Sequence, residues 1–78
     1  MKQRNSRSHK AMIATLIAAR EAANLTGREV SRKLKRPVNF CHRVETGERM
    51  VSLPEFIEYA NALEADPVKL LRAIIERS

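Results

Sequence analysis

Pro37 stands between a helix-start signal at Thr26-Gly27-Arg28-Glu29 and a stop at Thr46-Gly47, and this punctuation restricts the fold more than any other feature of the chain. The four residues from Thr26 to Glu29 form a capping box, in which the threonine hydroxyl accepts from the Glu29 amide and the glutamate carboxylate accepts from the Thr26 amide. Leu25 and Val30 occupy the two positions of a hydrophobic staple around it. Pro37 has no amide to donate and keeps Arg36 away from helical angles, so a helix begun at Thr26 ends at about Leu34 and the chain turns at Lys35-Arg36. A second short helix then fits between Pro37 and Thr46. Two short helices joined by a tight turn result.

Similar signals recur downstream. Ser52-Leu53-Pro54-Glu55 is another capping box, with proline in the first turn and a Val51/Phe56 staple, and it opens a helix expected to bury Phe56, Ile57, Ala60 and Leu63. Asp66-Pro67 caps a last helix that carries Leu70, Leu71, Ile74 and Ile75. Upstream, Met12, Ile13, Leu16, Ile17, Ala19 and Ala23 recur at three- and four-residue spacing, which predicts a first helix from about Ser8 to about Ala23 with Asn24 as a left-handed terminator. The expected architecture is all-α: a basic flexible tail over residues 1–7, then one compact five-helix domain over 8–78. Neither an internal repeat nor a strand signal is present. At 78 residues such a domain buries only about 60% of its unfolded surface, which leaves no room for a large catalytic cleft. The single cysteine rules out an internal disulfide and a cysteine metal cluster, and it fits a reducing cytoplasm.

The helix after Pro37 sorts its residues by face. Phe40, Cys41 and Val44 share an inward face, while Val38, Asn39, His42 and Arg43 point the other way. Arginine can donate two hydrogen bonds to guanine, asparagine pairs with the adenine edge, and Val38 suits a thymine methyl, so this face has the chemistry to enter a DNA major groove. Charge agrees with that reading. The net charge is +6, but residues 1–43 carry eleven Lys/Arg against two acids, and residues 44–78 carry four against seven. Such an asymmetry is the electrostatic footprint for nucleic acid, and less specifically for an anionic membrane surface or a merely solvated face. MKQRNSRSHK followed by AMIATLIAA also has the look of an export signal. Its removal, however, leaves too little chain for a stable domain, and its apolar residues follow helical spacing. No run reaches the length of a membrane span. Asn24-Leu25-Thr26 matches a glycosylation sequon, although Thr26 already has its capping role.

LTGREVSRKLKRPVNFCHRVETGER resembles the helix-turn-helix core of the lambda-repressor and Cro-like family, called XRE-type, whose usual pattern is close to LSQEELAEKLGVSRSTISRIERGER. SLPEFIEYANALEADPVKLL is similar to the fourth and fifth helices of that family, so the resemblance extends over about residues 8–76, with the helix-turn-helix at about 26–46. It implies a sequence-specific DNA-binding transcriptional regulator, a homodimeric bacterial or phage repressor reading a palindromic operator. Val38 and Asn39 match the first two base-contacting positions and Arg43 the later one, with His42 beside it for a base or a phosphate. Thr26, Arg28 and the free amides at the start of the second helix match a phosphate clamp. Thr46 and Arg49 match a second phosphate contact, and Arg36 is expected to join these. There are two departures from the pattern. Gly27 stands where the family usually has glutamine, and Lys35 replaces the usual turn glycine, at a cost of about 1 kcal/mol if that position is left-handed.

Other chemistry is poorly supported. Cys41 and His42 are adjacent on a helix and point in different directions, so they do not pair as nucleophile and base. His42 and Glu45 offer a metal two ligands without a closed set. No cofactor motif is present, and the chain reads as a non-enzyme. The last helix, through Leu70, Ile74 and Ile75 together with Tyr59, carries apolar surface for a symmetric dimer or for cover of its own neighbours. That surface and Gly27 motivate an alternative function: an antitoxin-like or anti-activator module that uses this fold to bind a protein. Double-stranded DNA, a second copy and a controlling protein are the expected partners, with no membrane and no cofactor.

Overall fold

The computed structural model describes residues 6–78, which form five α-helices: α1 (Arg7–Ala22), α2 (Gly27–Lys33), α3 (Phe40–Glu45), α4 (Leu53–Ala62) and α5 (Pro67–Arg77). The first five residues of the expected basic tail lie outside the described residues. α1 begins one residue ahead of the expected Ser8, because Ser6 acts as the cap and its hydroxyl accepts from the His9 amide at 3.0 Å. Both capping boxes close. The Thr26 amide donates to Glu29 at 2.8 Å and the Ser52 amide to Glu55 at 2.8 Å, and each glutamate amide donates back to its cap hydroxyl. The Asp66 carboxylate accepts from the Val68 amide at 2.8 Å.

The helix exits share one device. Asn24, Lys35, Gly47 and Glu64 follow the C-caps of the first four helices, and all four have positive φ, between 56° and 85°. After α1, α2 and α4 the next two amides return to carbonyls of the last turn, as in Leu25 to Arg20, Arg36 to Ser31 and Ala65 to Ala60. This is the Schellman pattern, which satisfies carbonyls that a helix end otherwise leaves open. Asn24 behaves as expected, and Lys35 is indeed left-handed, with the cost that a side chain there carries. The left-handed φ is the reason for glycine at 47, since an added Cβ would meet Ile13 only at an ordinary 3.5 Å.

α3 is shorter than the expected 37–46. The Pro37 carbonyl accepts from the Phe40 amide at 2.9 Å, and Asn39 sits at φ −95° and ψ 8°, so a turn leads into the helix. Val38 and Asn39 therefore belong to that turn and not to the helix itself.

α1 packs on α5 and α3, α2 on α3 and α4, and α4 on α5. Leu16, Val30, Phe40, Cys41, Val44, Phe56, Tyr59, Leu63 and Ile74 meet in the core. Periodicity overstated burial on α4, where Ile57 is exposed, and α5 leaves Leu71 and Ile75 exposed as well, because no further element covers the outer flanks of these two helices. Tyr59, expected either at a partner surface or as cover within the chain, is fully buried. In α1 the buried residues are His9, Ala11, Thr15 and Leu16, with Met12, Ile13 and Ile17 half-buried at the edges.

Candidate nucleic-acid interface

α3 is held from behind, so its opposite side is left free. Its inward residues Phe40, Cys41 and Val44 are buried. The Ser31 hydroxyl, fully buried on α2, accepts from the Cys41 amide at 3.0 Å and so fixes the start of α3 against α2. Serine at this point reconciles close helix packing with one of the amides that a helix start leaves unpaired. Farther along, the Cys41 thiol lies 2.9 Å from the Tyr59 hydroxyl and donates to Glu45 at 3.3 Å. Glu45 in turn accepts from Arg20 Nε at 2.6 Å and Nη2 at 3.2 Å, while Arg20 Nη1 donates to the Leu25 carbonyl at 2.9 Å. Burial pushes the Cys41 thiol up to about 11 and raises the Tyr59 hydroxyl as well, so both stay protonated and α3 hangs from neutral donors and one ion pair.

The outward face carries the residues expected there. Val38, Asn39, His42 and Arg43 are all exposed, as are Thr26, Arg28 and Thr46. Asn39 makes no side-chain cap bond, so its amide is available to a ligand. Arg43 Nε donates to Glu48 at 3.2 Å across exposed surface, an arrangement easily rearranged by a competing acceptor. The Thr26 hydroxyl serves the capping box, and the Thr46 hydroxyl donates to the Arg43 carbonyl at 3.1 Å.

Two expected phosphate residues have protein partners. Arg36 donates to Glu55 at 2.7 Å, Arg49 donates to the same carboxylate at 2.8 Å and 3.2 Å and also to the Met50 carbonyl, and both guanidinium groups lie over the Phe40 ring at 4.8 Å and 5.3 Å. The Arg49 guanidinium, then the Ser52 amide and Arg36, hold the Glu55 carboxyl down to about 2. Sequence reasoning found Glu55 only as a capping residue and weighed Glu45 only beside His42, and it missed the pairing of Arg20 with Glu45. The one available signal for that pair was charge, since Arg20 ends an otherwise apolar helix stretch and Glu45 comes directly after the buried Val44.

Of the dimer candidates, Ile74 is buried in the core of its own chain and Leu70 is half-buried against it, which leaves Ile75 exposed. Gly27 faces Cys41, where an added Cβ would make ordinary contact at 3.6 Å, so a side chain at this position is sterically admissible. Among the described residues no group of His, Cys, Asp or Glu is arranged to hold a metal ion, and no helix is long and apolar enough to cross a membrane.

Residues 13–73 match the family model of a helix-turn-helix domain. The chain belongs to the XRE-type helix-turn-helix family. Its structure is similar to that of an XRE-family like protein from Pseudomonas syringae pv. tomato str. DC3000, with a TM-score of 0.83 and 30% identity over 88% of this chain and 84% of that one. No curated protein matches the sequence. A helix-turn-helix domain of this family has the fold of a DNA-binding regulator.

Proposed function

We propose that the protein is a sequence-specific transcriptional repressor that works in the cytoplasm as a homodimer and reads a palindromic operator. The carrying observation is the exposed set Val38, Asn39, His42 and Arg43, presented by a helix whose opposite side is locked to α1, α2 and α4. Val38 and Asn39 project from the entry turn, and His42 and Arg43 from the helix, so bases are read across the turn and the first helical residues. Thr26, Arg28, Arg36, Thr46 and Arg49 contact the backbone on either side. Dimerisation uses the exposed stripe of Val68, Leu71 and Ile75 on α5, in place of Leu70 and Ile74, which serve the core. A symmetric pair places its recognition helices about 34 Å apart, one DNA turn.

Selection from a random DNA library at about 150 mM salt, where non-specific phosphate binding is weak, tests the reading. An enriched palindrome supports it. Recovery of no motif by folded protein points instead to the apolar α4–α5 surface and to a protein partner. On the enriched site, Arg43→Ala loses about 1–3 kcal/mol and relaxes specificity, whereas Arg28→Ala weakens all duplexes alike.

A further inference from the structure

Glu55 stands among residues expected to attract phosphate, and an acid in that place ordinarily opposes DNA. Its geometry has another consequence. A single oxygen, Oε2, receives Arg36 Nη2 at 2.7 Å and Arg49 Nη2 at 2.8 Å, so two cations converge that would otherwise repel each other. The second oxygen accepts from the Ser52 amide at 2.8 Å, which fixes the carboxylate to the start of α4. The central carbons of both guanidinium groups lie over the ring of Phe40, the first residue of α3. The cluster is thus tied to α3 and α4 at once, yet it still carries one net positive charge. Arg36 uses only Nη2, and Arg49 only its two terminal nitrogens. Nε and Nη1 of Arg36 and Nε of Arg49 have no protein partner among the described residues and remain donors.

We propose that Glu55 is a positioning residue for DNA: it holds Arg36 and Arg49 side by side on the Phe40 ring so that their remaining donors grip the phosphate backbone next to the recognition turn. The inference rests on the DNA-binding reading above. Free arginines must give up rotamer freedom when they meet a phosphate, and this pair has already given it up. Arg36 stands two residues before Val38, so the grip sets the register of the reading residues as well as adding affinity.

The test turns on a sign. Binding to a fluorescein-labelled 30-base-pair duplex of random sequence is followed by anisotropy from about 50 to 200 mM NaCl, where each phosphate contact contributes about 0.9 to the slope of log K against log salt. Glu55→Gln keeps the capping oxygen, as glutamine does in capping boxes, but it places an NH2 group against the two arginines. Although the change removes a negative charge, affinity is expected to fall by threefold to tenfold, with the slope shallower by about 1 to 2. Tighter binding with an equal or steeper slope would show Glu55 to be a simple repulsive charge and would overturn the inference while leaving the DNA reading intact. Failure of the wild type to bind the duplex overturns both. If Glu55→Gln melts below the assay temperature, Glu55→Asp replaces it: the charge stays, the shorter arm cannot reach both arginines, and the same loss of slope is expected.

Discussion

Two clusters of arginine and glutamate flank α3, and they differ in how completely they are closed. Behind the helix, Arg20 turns all three of its nitrogens to protein acceptors, and the side chains of Arg20 and Glu45 are only 19% and 16% exposed. At the start of the helix, one carboxylate serves two arginines that are about twice as exposed and retain donors for a ligand. The same pair of residue types therefore does two kinds of work. A closed pair orients a helix. An open one presents charge from a fixed place.

The largest expected effect comes from breaking the closed cluster. Arg20→Ala strands the Glu45 carboxylate against the Cys41 thiol and should lower stability by about 3 kcal/mol in urea unfolding. A loss below about 1 kcal/mol would mean that the pair behaves as an ordinary surface bridge and that the contrast between the clusters fails. Next comes acid. The Glu55 carboxyl, lowered from 4.5 to about 2 in the folded chain, contributes stability that is fully present above pH 4.5 and is lost as pH falls toward 2. After solvent screening the loss is on the order of 1 kcal/mol, read as the difference in urea midpoints between wild type and Glu55→Gln across that window. The smallest change sharpens the comparison from the closed side. The fully buried Cys41 thiol, raised to about 11 by its burial, should stay unlabelled by a thiol reagent at pH 8 and react only once urea opens the fold. Prompt labelling of native protein would place solvent inside the cluster.

Much of this architecture was legible in the sequence because its signals are local. Capping boxes act over three residues, and a proline acts on itself and the residue before it, so Thr26, Ser52 and Pro37 mark helix limits without any tertiary knowledge. The outward set was legible for the same reason, through the spacing of Phe40, Cys41 and Val44. What was not legible depends on packing between distant segments. Arg20 meets Glu45 across 25 residues and Arg36 meets Glu55 across 19, and nothing in the local pattern selects these partners. Tyr59 and Ile57 show the same limit. Both lie on α4 beside apolar neighbours, but only Tyr59 faces Cys41, while Ile57 falls on a flank that no later helix reaches.

The inward residues of the short helix, Phe40, Cys41 and Val44, and the outward residues at 38, 39, 42 and 43 do not overlap. Substitutions at exposed positions outside special features usually change stability by no more than about 0.5 kcal/mol. The outward positions are therefore free to vary while the scaffold keeps its shape. If those four places read DNA as proposed, a descendant of this chain can acquire a new target by a few exchanges there, and preference for a target evolves faster than the fold that carries it.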